Sequence, residues 1–236
     1  MIKKLLIIFI FVFSANLYAE SLKSFNLHYN VKKNNIKFAE TNNKLFQIDD
    51  EWIFEINSTS AGLLLFLNDD RSEKSTFSYK DNKIKTKSYK YYKILSKSYK
   101  KYDTKFDWEN IKAKTVKDFG DESKNEIEHE LSGPVYDRLS VQIDFREKMK
   151  LGYRAMEYAV IDKGRFRYYQ FLPIDKQKIE TIFGLTETIV IKKMISDSKR
   201  NTLTWYAVNH DFVPVKIEQF RGNKLKFTVI LNSIEN

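Results

Sequence analysis

The sequence predicts a mainly β fold: a single antiparallel, strongly curved sheet or open barrel with one central amphipathic helix. Three observations predict it. Apolar and polar residues alternate at period two along most of the chain. Short turn signals separate these runs. One segment only, about 134–148, carries a helical period instead.

The first strand is Phe25, Leu27, Tyr29 and Val31, alternating with Ser24, Asn26, His28 and Asn30. Trp52, Phe54 and Ile56 form the next, and Thr104, Phe106 and Trp108 continue the pattern. Later come Phe166, Tyr168 and Gln170, then Ile189 and Ile191, then Thr202, Thr204 and Tyr206. Val213, Val215 and Ile217 precede Leu225, Phe227, Val229 and Leu231. Turns are expected at Asp69-Asp70, Asp81-Asn82 and Asn209-His210-Asp211, with a tight hairpin at Arg221-Gly222-Asn223. Strands at this spacing imply a meander rather than βαβ units. The 18 Phe, 14 Tyr and 3 Trp suit strands and a large core. Residues 116–131 are mixed and charged, with no clear period.

In the helical segment, Pro134 suits a first turn, and Val135, Leu139 and Ile143 fall on one stripe. Asp137 is expected to favour the helix N-terminal dipole, and Arg138 to pair with a carboxylate on the sheet. Asp137, Arg138, Leu139 and Ile143 are therefore the expected contact between helix and sheet. Alternation fits a filled interior and a hollow one equally.

Residues 1–19 read as a secretory signal peptide. Lys3 and Lys4 precede an apolar run, Leu5 to Phe13, and a small-residue exit ends at Ala19. Cleavage is expected after Ala19, leaving 20–236 as a single β-rich domain, since no repeat or linker divides it. The run is shorter than the roughly 20 residues a bilayer span needs. An uncleaved anchor is the less favoured alternative, and no transmembrane segment is expected in the mature chain. The chain has no cysteine, which excludes a lipoprotein anchor, disulfides and thiolate metal sites. The expected location is the periplasm.

That location filters the charge. The chain carries a net +10, and residues 80–105 alone hold ten lysines against two aspartates. Lys87, Lys90, Tyr91, Lys93, Lys97, Tyr99, Lys100 and Lys101 form a candidate basic, aromatic surface. Such a tract suits nucleic acid in the cytosol. In an exported protein it suits a lipid head group, another anionic envelope component or an acidic envelope protein. A solvated pair of strands, lysines outward and tyrosines partly buried, is the simpler alternative. No nucleic-acid partner is expected.

No catalytic, cofactor or metal set emerges. Ser140 beside Asp137 has no histidine near in sequence to serve as base. His28, His129 and His210 are far apart. Glu126, Glu128, His129 and Glu130 lack a dedicated ligand spacing and read as an acidic surface loop. The run Gly62 to Leu67 suits a cavity mouth or a short buried strand equally.

Several short motifs occur in a telling order. They are Phe106-Asp107-Trp108, Asp137-Arg138-Leu139-Ser140-Val141-Gln142, Gly164-Arg165 with Tyr169-Gln170-Phe171, Glu180-Thr181-Ile182-Phe183-Gly184, Trp205-Tyr206-Ala207 and Pro214-Val215-Lys216-Ile217. With Ser58 to Leu63, they make the chain resemble the bacterial family known as domain of unknown function 3108. The resemblance implies an exported envelope protein of one β-rich domain, similar in architecture to open-barrel lipoprotein carriers with an apolar interior. It transfers no catalytic residue.

The favoured expectation is a non-catalytic binding or carrier module for an apolar or amphipathic ligand such as a lipid or acylated chain. An envelope-assembly protein using the Lys/Tyr face is the alternative, and an enzyme ranks last.

Overall fold

The computed structural model describes residues 22–61, 70–95, 98–120 and 124–235. The expected signal peptide with its cleavage after Ala19, the run Gly62 to Leu67, and Lys97 lie outside them.

The chain starts with a meander: β1 (Phe25–Lys33), β2 (Ile36–Ile48), β3 (Glu51–Ser60), β4 (Arg71–Lys80), β5 (Lys83–Leu95), β6 (Ser98–Asp107), β7 (Lys112–Asp118) and β8 (Asn125–Glu130). A short strand β9 (Val135–Asp137) and the helix α1 (Ser140–Lys150) follow. A second meander completes it: β10 (Met156–Asp162), β11 (Arg165–Thr181), β12 (Gly184–Ile195), β13 (Arg200–Ala207), β14 (Val213–Arg221) and β15 (Lys224–Glu235). These strands form one sheet in the order β8-β7-β6-β5-β4-β3-β2-β1-β15-β14-β13-β12-β11-β10-β9. Neighbours are antiparallel except β9, which runs parallel to β10. The two meanders join where β15 returns beside β1, with Val31 opposite Val229. β8 and β9 are left as edges, so the sheet is not closed.

Local chemistry sets the hairpins. Asn34-Asn35 (φ 50° and 63°) and Asp81-Asn82 (φ 52° and 56°) put two left-handed residues in succession, the geometry of a type I′ turn. Lys163-Gly164 does the same at φ 54° and 72°. The expected hairpin at Gly222 forms, with Arg221 opposite Lys224 and Gly222 at φ 60°.

The helix is shorter and later than the sequence predicts. Val135 to Asp137 are strand, paired with Ala159 to Ile161 of β10, so Val135 is not on the helical stripe. The β-branched Val135 and aromatic Tyr136 find sheet partners, which outweighs the first-turn preference of Pro134. Asp137 then turns the chain: its Oδ1 accepts from the backbone N–H of Leu139 at 2.6 Å and of Ser140 at 3.1 Å. Residues 116–131 also resolve differently. They end β7 and form β8, so the expected acidic loop is an edge strand. Glu126 and Glu128 reach Lys114 and Lys112 on one face, at 2.5 and 2.7 Å. His129 turns to the other face and lies 3.2 Å from the Gly164 carbonyl.

The sheet wraps α1 between two walls. On one side Val141, Phe145 and Met149 pack with Tyr158, Phe171, Ile189 and Tyr206. On the other, Leu139 and Ile143 pack with Leu45, Trp52, Phe54, Phe77 and Tyr89. Burial on both sides explains why Asp144, Arg146 and Glu147 are also buried. Each fully buried apolar side chain contributes about 1.5–3 kcal/mol.

Candidate functional site

Between the sheet and α1 lies a cavity of about 940 Å³. Leu139, Gln142, Ile143 and Arg146 of the helix segment line it, with Phe25, Leu27 and Tyr29 of β1 and Tyr169 and Phe171 of β11. Its lining includes twelve lysine and arginine residues but two carboxylates, Glu73 and Asp162.

Strand direction gathers most of these cations at one end. Antiparallel neighbours alternate, so the ends of β10, β12 and β14 lie beside the starts of β11, β13 and β15. Lys163, Lys193 and Arg221 come from the former set, and Arg165, Arg200 and Lys226 from the latter. Arg71 opens β4, while Lys93 and Lys117 lie near the ends of β5 and β7, at the same rim. Towards the opposite end the lining includes Phe25, Phe54, Phe171 and Tyr206. Behind it the buried Phe145 stacks on Phe171 with centroids 4.3 Å apart, the Tyr206 ring lying 6.1 Å away, edge-on.

A buried ionic cluster separates rim from aromatic wall. Glu73 on β4 is 1% exposed. It accepts from the Tyr89 hydroxyl at 2.6 Å and pairs with Arg138 at 2.9 Å and Arg71 at 3.5 Å. Burial alone would raise its pKa, but Arg138, Arg71 and Lys163 hold it down at about 2. Arg138 also lies 3.7 Å from Asp162, which accepts from Tyr169 at 3.0 Å. Lys163 sits 3.5 Å above the Tyr91 ring. Burial and the Arg138 charge push its pKa down to about 7. The same two causes bring Lys193 to about 8. Asp137 is fully buried and accepts from Ser75 at 2.5 Å; burial raises it to about 6 against its hydrogen-bond donors.

The expected helix–sheet contacts fall on this structure. Asp137 binds β4 through Ser75, Arg138 binds Glu73, and Leu139 and Ile143 enter the core on the β3–β5 side. The expected Lys/Tyr surface divides by period two. Lys87, Lys90, Lys100 and Lys101 are exposed. Lys87 pairs with Glu51 at 2.7 Å. Tyr99 is half-buried and donates to Asp118 at 2.8 Å. Tyr91 departs from the expected surface: it is 6% exposed, inside the core. Lys93 also turns inward to the cavity. The tract is therefore two faces of a strand pair rather than one patch.

The rim itself was missed, because its cations are scattered singly over eight strands and one turn. One signal was available. The alternation was read through Phe166, Tyr168 and Gln170, but the buried phase is the other one: Tyr169 and Phe171 are buried, and Arg165 and Arg167 precede them on that face. Extending the correct phase backward would have placed both arginines inside.

Fold and site together define a class: an unclosed antiparallel β-shell wrapped round a helix, with an internal cavity and a cationic rim. The chain belongs to the protein family of unknown function DUF3108, whose model matches residues 24–228. It is also similar to a crystal structure from Bacteroides fragilis, of a protein described as exported and YmcC-like in fold. That match has 9% identity and a TM-score of 0.39, covering 91% of this chain and 97% of the other. No curated protein matches the chain.

Proposed function

We propose that the protein is a non-catalytic binding or carrier module of the cell envelope, which takes an amphipathic ligand into the interior of its sheet. The observation that carries this reading is the cavity of about 940 Å³, whose cations gather mostly at one end while aromatic and aliphatic side chains line it throughout. Its volume lies in the range of small-molecule sites, roughly 300–1,000 Å³. The segment 1–19 supports export to the periplasm with cleavage after Ala19.

Protein purified from its exported fraction should carry an acylated compound, released by organic extraction and identified by mass spectrometry. After extraction it should bind a fluorescent acyl probe with one-to-one stoichiometry. Extracted protein that binds no acyl probe under any condition overturns the reading. N-terminal sequencing should begin at Glu20.

The alternative, an envelope-assembly protein using the Lys/Tyr face, has less support. Lys87, one of its outward lysines, already faces a carboxylate, Glu51. Crosslinks to envelope proteins that vanish in Lys90→Glu/Lys101→Glu would favour it.

A further inference from the structure

We propose that the ligand is an anionic amphiphile, its acidic head group held by Arg71, Arg138, Lys163 and Lys193 and its tail lying against the aromatic wall beside α1. This deepens the carrier reading and rests on it.

The charge count of the cavity is the first support. Twelve basic residues line it against two acidic ones. Glu73 is engaged inside the protein, and Asp162 accepts from Tyr169 through Oδ2 while its Oδ1 has Arg138 at 3.7 Å and no hydrogen bond. Glu73 is shared by Arg138, Arg71 and Tyr89, and Asp162 by Tyr169 and Arg138. Elsewhere on the sheet several lysines meet a carboxylate each. Lys74 with Glu55, Lys114 with Glu126 and Lys178 with Glu187 pair one to one. The positive excess is therefore concentrated where a ligand would sit.

The second support is what the inner cations touch. Among the described residues, neither Lys163 nor Lys193 has a carboxylate within ion-pair distance. Lys163 rests on the Tyr91 ring at 3.5 Å, and Lys193 lies 5.3 Å from the centre of the Tyr169 ring. A ring face is the partner a desolvated cation takes when no anion is present. The third support is geometric. The Nε atoms of Arg71 and Arg138 are buried without a hydrogen bond, although each lies within ion-pair distance of Glu73. Buried donors left unmade are costly. A phosphate or carboxylate at this place supplies acceptors to the guanidinium and ammonium groups at once.

A neutral head group leaves the rim uncompensated. A bare anion satisfies the rim but leaves the apolar lining, with the half-buried Phe25 and Ile56, facing water. The ligand chemistry that satisfies both ends is an acid on an apolar tail, whether its head is a phosphate or a carboxylate.

Titration calorimetry on delipidated protein distinguishes these cases with four probes: a lysophosphatidic acid, the fatty acid and the monoacylglycerol of the same chain length, and inorganic phosphate alone. Both acids should bind at least tenfold tighter than the monoacylglycerol, and tighter than inorganic phosphate. Raising NaCl from 0.05 to 0.5 M should weaken the acids and leave the monoacylglycerol nearly unchanged. In Lys163→Met/Lys193→Met the ratio of acid to neutral affinity should fall towards one. Both side chains are half-buried, and near-UV circular dichroism reports whether the variant keeps its packing. The outward Lys87→Gln should leave the ratio as it is.

Equal affinity for acid and neutral probes overturns the anionic head group and leaves the carrier reading standing. Binding of none of the tailed probes overturns both. Inorganic phosphate binding as tightly as the tailed acids overturns the amphiphile. If the double variant loses its packing, the salt series on the unmodified protein decides: parallel curves for acid and neutral probes overturn the proposal.

Discussion

Glu73→Gln is the sharpest perturbation of the ionic cluster, because it removes one charge and almost no volume. The native carboxylate is 1% exposed and serves Tyr89 at 2.6 Å, Arg138 at 2.9 Å and Arg71 at 3.5 Å. Glutamine with its oxygen in the Oε2 place still accepts from Tyr89 and faces Arg138, which share that atom, but it removes the negative charge from both arginines and turns an amide NH2 towards Arg71. Breaking a buried ion pair from one side costs about 3–5 kcal/mol. One retained hydrogen bond recovers about 1 kcal/mol of that. The expected loss is therefore about 3 kcal/mol in urea unfolding at pH 7.5, followed by tryptophan fluorescence and circular dichroism together. The pH dependence has a definite sign. Glu73 is held at about 2, below its unfolded value of 4.5, so its stabilisation is complete above pH 4.5 and lost as pH falls towards 2. The difference between the two proteins should shrink over that window. Added tailed acid should restore more stability to Glu73→Gln than to the unmodified protein, since the ligand replaces the missing negative charge. A loss below about 1 kcal/mol, or one that does not change between pH 4.5 and 2, refutes the view that Glu73 anchors the cluster.

Phe145→Ala empties the space between Phe171 and Tyr206 at a fully buried site, and should cost about 3–5 kcal/mol by the same unfolding assay. Asp137→Asn removes a group whose folded pKa, about 6, lies above its ordinary 3.8. Its protonation favours the folded state below pH 3.8, and that contribution fades as pH rises through about 6, so the variant's unfolding profile should be flatter between pH 4 and 6 by on the order of 2–3 kcal/mol. Binding of tailed acids should weaken from pH 6 to 9, as Lys163 (about 7) and Lys193 (about 8) lose their protons. Arg71, Glu73, Tyr91, Arg138 and Asp162 surround Lys163, while Arg138, Glu73, Asp162 and Tyr169 surround Lys193; the carboxylates are already charged throughout that window, and isothermal titration across pH reads the change.

Much of the fold was legible because sheets write themselves locally. Leu27 and Tyr29, or Val229 and Leu231, announce a strand and its buried face without any neighbour. The helix start was not legible, because Val135 to Asp137 become strand only through β10, more than twenty residues further on. The cluster was half legible. Arg138 stood beside a predicted helix, so a carboxylate partner could be expected. Glu73 could not be named, because in sequence it is one acid within an ordinary polar alternation. The rim was least legible of all, since a cation on a strand has the same local pattern inside or outside. Only the curvature of the whole sheet decides which face becomes an interior.

The two free edges of that sheet also meet near one another. His129 of β8 reaches the Gly164 carbonyl, and side chains of Thr115 and Lys117 lie 3.1 Å from where a Cβ on Gly164 would sit. Phe106 and Ala113 share a cluster there with Val135 and Ile161. In a closed barrel, strand number and shear fix the girth, and any widening breaks backbone hydrogen bonds. Here the backbone ladder stops at β8 and β9, so the girth rests on a seam of side chains. The shell is a cuff rather than a pipe: it can loosen around a larger guest by parting side-chain contacts, the His129–Gly164 hydrogen bond among them, with every rung of the ladder intact.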